Sequence, residues 1–360
     1  VESMIIETQS KSYPVFIGKG VIGELEEWFM KHLPQASHIL IIADEEVFGL
    51  HGEMLVNALP KNFSWSVHKV PAGEKAKTFQ TYENCLSDAL EKELDRKAVV
   101  IAFGGGAIGD LAGFVASTFM RGIGFIQIPT TILAHDSAVG GKVAINHEKG
   151  KNMVGQFYQP EAVFYDLNFL STLPRKEIRS GMAEVIKHAL IADPKLLKEL
   201  KDNLTSLDKM DAISLENYLK AGIKIKAKIV SQDERETGVR AYLNFGHTYG
   251  HAIENVSGYG TVTHGEAVMV GIIFALYLSK ETSSLSIDLE QFTGWVRSLG
   301  YKMSIIDKLP FEDLYNAMKR DKKSSKSKPR FVVLEEIGQP KLIEVDIDHL
   351  RKADQFIRNR

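Results

Sequence analysis

Three of the chain's eleven histidines, His247, His251 and His264, fall within "NFGHTYGHAIENVSGYGTVTHGEA" (residues 244–267), among glycines and beside a carboxylate at Glu266. Imidazole titrates near neutrality and is the commonest protein ligand for metal ions, so this stretch raises a metal site. A capped, partly buried helix pair whose histidines only hydrogen-bond accounts for the same residues. His247 and His251 stand one helical turn apart, the spacing of the H-E-x-x-H metalloprotease helix. Thr248 occupies the position where that chemistry needs its glutamate base, so a protease is not expected.

A second cluster of chemistry-bearing residues lies upstream. "VVIAFGGGAIGDLAGFVAS" sets Gly104, Gly105 and Gly106 between a buried strand and a helix. Glycines there allow close backbone approach to a ligand, and the helix start offers unpaired N–H groups suited to a diphosphate. A tight strand-to-helix turn is the plainer reading, because the triplet is not the G-x-G-x-x-G fingerprint. Asp44 ends another buried strand, where a carboxylate either accepts from ribose hydroxyls or caps the helix that follows. "PAGEKAKT" adds Glu74 and Lys77 after a third strand. Together these features suggest a nucleotide without naming it.

These groups need a frame. Residues up to about 175 alternate apolar, β-rich runs (38–44, 65–71, 98–105, 124–131 and 162–167) with helix-length segments such as "TFQTYENCLSDALEKEL". That grammar predicts a largely parallel, Rossmann-like sheet with helices on both faces. From 176 onward the segments favour helix, so the expected division is an α/β domain over 1–175 and a mainly α-helical domain over 176–360. The join at "NFLSTLPRKE" offers Pro174 with Ser171 or Thr172 as helix caps.

Composition narrows the class. Charged residues make up 25% and hydrophobic ones 44%, with a formal net charge of −2, which argues against a nucleic-acid binder. The single cysteine, Cys85, excludes an intramolecular disulfide, fits a reducing compartment and reads as a small core residue. No apolar stretch reaches membrane-spanning length, and the opening residues lack the pattern of a signal peptide. A cytoplasmic location is expected.

The segment "IPTTILAHDSAVGGKVAINHEKGKNMVGQFYQP" (128–160) carries more information. With "GGGAIGD", "SGMAEVIKHAL", "DERETGVRAYLNFGHTYGHAIE", "HGEAV" and "RDKK", it closely resembles 3-dehydroquinate synthase, the sugar-phosphate cyclase family of the shikimate pathway and so of aromatic amino-acid biosynthesis. The run before Gly140 reads "LAHDSAVGGK" where many members have an extra residue and "VDSSVGG", yet Asp136 still falls on the matching aspartate. The resemblance implies an NAD-binding α/β domain, a helical domain holding a divalent metal (zinc, with cobalt as an alternative), and an active site drawing on both. It implies Glu184, His247 and His264 as metal ligands. It implies Asp44, Glu74, Lys77, Gly104, Gly105, Gly106, Asp110, Thr130, Thr131, Lys142, Lys151, Phe169 and Thr172 around the cofactor. The catalytic set it implies is Asp136, Lys142, Asn152, Lys187, Lys226, Glu236, Arg240, Asn244, His251 and Lys322.

Glu184 and Lys187 are three residues apart and share a helix face. Lysines supply point charges to an anionic substrate, and Arg240 a fork-like contact. Glu266 reads as a first-turn carboxylate favoured by the helix dipole rather than as a fourth ligand. The implied substrate is 3-deoxy-D-arabino-heptulosonate 7-phosphate, which carries both a carboxylate and a phosphate. The implied reaction is transient NAD-dependent oxidation, β-elimination of phosphate, re-reduction and intramolecular aldol closure. Members of the family are commonly homodimers. The rival readings are another sugar-phosphate cyclase, such as a 2-deoxy-scyllo-inosose or valiolone synthase, whose substrates lack the carboxylate, and a metal-dependent polyol dehydrogenase, which releases NADH. A non-catalytic binding module would not need the lysines.

Overall fold

The computed structural model describes residues 3–258, 260–283, 285–321 and 328–360. The chain divides into two compact units, Val1–Leu173 and Pro174–Arg360.

Among its described residues the first unit is built on nine strands: β1 (Ser3–Glu7), β2 (Ser12–Gly18), β3 (Ile39–Asp44), β4 (Trp65–Val70), β5 (Val99–Gly104), β6 (Gly124–Pro129), β7 (Lys142–His147), β8 (Gly150–Phe157) and β9 (Ala162–Asp166). Its helices are α1 (Leu25–His32), α2 (Glu45–Ala58), α3 (Phe79–Glu91), α4 (Gly106–Thr118) and the single turn α5 (Ala134–Ser137). Seven strands form one sheet in the order β1-β2-β9-β6-β5-β3-β4. Only the β1–β2 pair is antiparallel, and the other pairs run parallel. The five runs read as strands in the sequence are β3, β4, β5, β6 and β9.

The apolar continuity of β3 and β5 has the expected cause. Leu40, Ile42, Val100 and Ala102 face one hydrophobic cluster, while Ile39, Ile41, Val99, Ile101 and Phe103 face another. Both sides of the sheet are therefore covered, as a parallel sheet requires. The chain order reverses beside β3, so the carboxyl ends of β3 and β5, at Asp44 and Gly104, flank the switch point where open α/β sheets bind ligands. Cys85 is fully buried in the first cluster, and burial, with Asp88 nearby, pushes its thiol up to about 12. It is a core residue, not a nucleophile.

The second unit contains α6 (Arg175–Ala192), α7 (Pro194–Asn203), α8 (Ala212–Gln232), α9 (His247–Ser257), α10 (His264–Ser283), α11 (Leu289–Ser298), α12 (Phe311–Asp321) and α13 (Ile347–Arg358), plus a hairpin of β10 (Arg330–Glu336) and β11 (Gln339–Glu344). The hairpin was not expected. Its signal is the run "FVVL" followed by Gly338, whose φ of 89° only glycine adopts without strain. α10 is buried almost continuously from Gly265 to Ser279, so it is the core helix, and α6, α9, α13 and β10 pack on it. Among the described residues no helix is long and apolar enough to cross a membrane.

The expected caps of α6 are corrected. Pro174 is its N-cap and makes no side-chain cap bond. The Thr172 hydroxyl instead meets His51 Nε2 at 2.8 Å, and the Ser171 hydroxyl donates to the Asn168 carbonyl.

Candidate metal centre and nucleotide cradle

The histidine stretch folds as two helices brought unusually close. Gly246 ends the preceding turn at φ 80° and starts α9 at His247. A Cβ on Gly271 of α10 would lie 1.9 Å from the Gly246 carbonyl oxygen. A Cβ on Gly265 would lie 1.9 Å from the Ser180 carbonyl oxygen of α6. Hydrogen in place of a side chain is what lets α6, α9 and α10 meet backbone to backbone.

That approach brings the three candidate ligands together. Glu184 on α6 is 1% exposed, and its Oε1 lies 3.5 Å from His247 Nε2 and 3.5 Å from His264 Nε2. One donor atom from each of the three residues falls within 4.8 Å of the others. Nitrogen and oxygen ligands at about 2.0–2.1 Å around a tetrahedral ion stand about 3.3 Å apart, close to the separations found. Both rings also have the correct nitrogen committed elsewhere. His247 Nδ1 is 3.2 Å from the Phe245 carbonyl, and His264 Nδ1 is 3.0 Å from Glu254 Oε2. A carbonyl and a carboxylate only accept, so each Nδ1 carries a proton and Nε2 is the atom that faces a metal, free on the neutral His247 ring and freed on His264 once its second proton leaves. Two imidazoles and one carboxylate fit zinc with a coordination position left for substrate.

The charges are prepared accordingly. Burial, reinforced by Lys187, holds His247 well below its ordinary value, so this ring is neutral. Burial works against protonation of His264 as well, but Glu254 and Glu184 outweigh it and raise the ring to about 9. Lys187, 1% exposed, pairs with the other Glu184 oxygen, Oε2. His251 stands edge-on to His247 with ring centroids 5.3 Å apart. Glu266 is not turned to this cluster. It accepts from the Thr263 amide and hydroxyl in a capping box and pairs with Arg179 at 3.2 Å.

The anion-binding candidates of this unit are fixed by partners that the sequence did not advertise. Arg240, 1% exposed, donates through Nη1 to the Glu234 carbonyl and through its amide to Asp233 Oδ2. Asp233 also takes the amides of Thr237 and Gly238, which closes the loop carrying Glu236 and Arg240. Asn244 Nδ2 donates to Glu236 Oε1 at 2.8 Å. Lys226 is buried on α8. Lys322 lies outside the described residues.

In the first unit, Glu74, Lys77, Asp110, Lys151 and Asn152 come together. Lys77 Nζ, 1% exposed, is 2.6 Å from Asp110 Oδ2 and also donates to Asn152 Oδ1. Lys151 pairs with Glu74 at 3.1 Å, and Asn146, absent from the expected set, donates to Glu74 and holds the Asn152 amide. Asp44 caps α2 through the Glu46 and Val47 amides and takes the Gly73 amide on its other oxygen. The glycine triplet has internal reasons for being glycine, since Cβ atoms at 104, 105 and 106 would meet Ile108 with Asp44, Thr131 and Ser137. Even so, α4 begins at the end of β5 with no side-chain cap, which leaves its first amides suited to an anion. Thr130 is buried and its amide bonds to the Gly104 carbonyl, while the Thr131 carbonyl accepts from Tyr165. Phe169 is a core ring against Phe103 and His51, Lys142 is exposed at the start of β7, and Asp136 lies on α5.

Both halves of the chain match one protein family. The model of "3-dehydroquinate synthase N-terminal" matches residues 67–180, and that of "3-dehydroquinate synthase C-terminal" matches 181–324. The 3-dehydroquinate synthase of Listeria innocua is 49% identical over 341 residues, covering 95% of this chain and 93% of the relative. That of Bacillus cytotoxicus is 49% identical over 345 residues, covering 96% and 93%. Among solved structures, a 2-deoxy-scyllo-inosose synthase complexed with carbaglucose-6-phosphate, NAD+ and Co2+ superposes with TM-score 0.86 at 26% identity over 99% of each chain. A probable glycerol dehydrogenase of Sinorhizobium meliloti, at 16% identity and TM-score 0.67 over 96% of each chain, shares the fold.

Proposed function

The chain belongs to the 3-dehydroquinate synthase family, and from that premise we propose how its own residues divide the work of converting 3-deoxy-D-arabino-heptulosonate 7-phosphate into 3-dehydroquinate and phosphate. The observation that carries the reading is the convergence of Glu184, His247 and His264 in a chain matched by both halves of the family. The reaction ejects phosphate across a carbon–oxygen bond, so the enzyme is assigned as a carbon–oxygen lyase of the shikimate pathway.

Residues 1–175 are assigned to NAD and residues 176–360 to the metal and the anionic substrate. Glu184, His247 and His264 would hold a divalent ion, zinc or cobalt, which supplies Lewis-acid polarisation of substrate hydroxyls when bound. The end of β5, the uncapped start of α4 and the Glu74–Lys77–Asp110–Lys151 cluster would hold NAD, which supplies a reversible hydride acceptor. Lys187 keeps the Glu184 carboxylate in one orientation and sets a fixed positive charge beside it. Lys226, Arg240 and Asn244 are assigned to the substrate's carboxylate and phosphate. The Glu234 carbonyl holds the Arg240 guanidinium in place, so little reorganisation is needed at the moment of reaction. His251 is assigned to proton transfer, and Asp136, Lys142 and Asn152 to substrate positioning. A cytoplasmic homodimer completes the proposal.

Phosphate release from the heptulosonate phosphate by purified protein, with NAD and zinc, before and after chelation, tests it. Chelator-sensitive release that forms 3-dehydroquinate without net NADH is expected. No release under metal-replete conditions would overturn the substrate assignment and direct the assay to heptulose 7-phosphates and glucose 6-phosphate.

A further inference from the structure

The expected ligand set leaves one buried carboxylate of the histidine cluster without a role. Glu254, 5% exposed, lies on α9 one turn beyond His251 and meets His264 across the helix pair. Geometry separates two readings of it. With His251 and His264 it forms a second trio of potential donors, so it is either an alternative ligand or a support. Its Oε2 stands 3.0 Å from His264 Nδ1, which is hydrogen-bond distance and shorter than the roughly 3.3 Å between neighbouring ligands of a tetrahedral ion. On the opposite edge of the same ring, Nε2 faces Glu184 Oε1 at 3.5 Å, the ligand-like spacing. The ring thus bridges a support on one side and the Glu184 centre on the other.

We infer that Glu254 is a positioning residue of the metal centre: by accepting the Nδ1 proton of His264 it fixes both the tautomer and the direction in which Nε2 is offered to a divalent cation. This rests on the reading of Glu184, His247 and His264 as the ligands. The arrangement parallels the Phe245 carbonyl on His247 but differs in charge, because a carboxylate also strengthens the ring as a donor. Outer partners of this kind are typically worth 10–100-fold in metal affinity.

The test is Co2+ titration of metal-free protein against a chromophoric chelator, with the visible Co2+ spectrum recorded alongside. Glu254→Ala is expected to bind about 10–100-fold more weakly than wild type. Glu254→Gln, whose amide oxygen still accepts from Nδ1 without the charge, should fall between the two. The Co2+ band positions of Glu254→Gln should match wild type, since the ligand atoms are unchanged. Wild-type affinity in Glu254→Ala overturns the inference, as does wild-type affinity in Glu254→Leu, which fills the same space without an acceptor, if the alanine variant does not fold. A shifted spectrum in Glu254→Gln, with affinity lost by more than about 1,000-fold, well beyond the range of an outer partner, overturns it in favour of a ligand role. Failure of wild type itself to bind Co2+ would instead sink the metal-centre reading, a result distinct from variants that merely match wild type.

Discussion

Gly271→Ala places a methyl group where α10 touches α9, and the structure sets the size of the effect. The new Cβ would begin 1.9 Å from the Gly246 carbonyl oxygen, with the Gly250 amide 3.0 Å away. A tolerable carbon–oxygen contact of about 3.3 Å requires roughly 1.4 Å of movement. Both partners are backbone, so no rotamer change relieves the clash. Gly246 immediately precedes His247, so the shift is delivered to a proposed ligand, whereas metal sites tolerate displacements of about 0.5 Å or less. Overpacking of this kind costs about 1–3 kcal/mol. At about 2–4 °C per kcal/mol for a unit of this size, the melting temperature of metal-free protein should fall by roughly 2–12 °C. Affinity for Co2+ should fall at least tenfold. Gly294→Ala is the control: it lies within α11 with no atom inside 4 Å of its added Cβ, so it should be neutral or stabilise by up to about 1 kcal/mol. Melting and Co2+ titration of both variants decide the matter. A Gly271→Ala protein that melts and binds metal like wild type would refute the argument that backbone contact sets the ligand spacing.

Three further outcomes follow from charges in the two units. His264 is raised to about 9 in metal-free protein, so a metal must displace its proton at neutral pH, and affinity should climb about tenfold per pH unit from 7 to 9; a plateau above pH 7 in chelator competition, with histidine resonances followed in parallel, would contradict this. Stability of the metal-free protein should also respond to pH. The raised His264 gives stability that is full below about 6.5 and lost as pH rises toward 9, whereas the depressed His247 gives stability that is lost as pH falls below about 6.5. Their combined contribution therefore peaks near pH 6.5, and urea melts at pH 5, 6.5 and 9 would show no such maximum if the signs are wrong. Lys77→Met removes the buried cation between Asp110 and Asn152 and should cost about 1–3 kcal/mol together with NAD affinity. Unchanged NAD titration would exclude the Lys77 cluster from the cofactor site.

Much of the frame was legible because burial writes itself into periodicity. β3 and β5 lie between two clusters, so their residues are apolar without alternation, and α10 is apolar all round for the same reason. The β10–β11 hairpin escaped notice because its two strands differ. β10 is largely buried and apolar, whereas β11 is half-exposed and carries a proline and a lysine. The proposed ligand set comes from the resemblance rather than from spacing, since His247 and His251 at one turn apart make an equally plausible pair; the structure brings Glu184, His247 and His264 together. Glu254 left a usable mark, three residues after His251 on the same helix face. Asn146 and Asp233 left none, because their roles arise from a hairpin register and a loop closure that only three-dimensional pairing creates. Asp44 was ambiguous in sequence, and its cap bonds account for the residue without any ligand.

Tyr249 stands between His247 and His251 on α9, fully buried, and its hydroxyl donates at 2.5 Å to Asp354 of α13, which Arg358 grips in turn at 2.6 Å. The brace on the histidine helix therefore comes from a residue far downstream of every ligand. During synthesis Glu184, His247 and His264 emerge before Asp354, so a nascent chain presents the donor set on a helix already able to pack on α10 but still without its Asp354 contact. The Tyr249–Asp354 bond can form only once residue 354 has been made. A substitution at Asp354 is accordingly expected to reach the histidine helix through Tyr249, from a position remote in sequence from Glu184, His247 and His264.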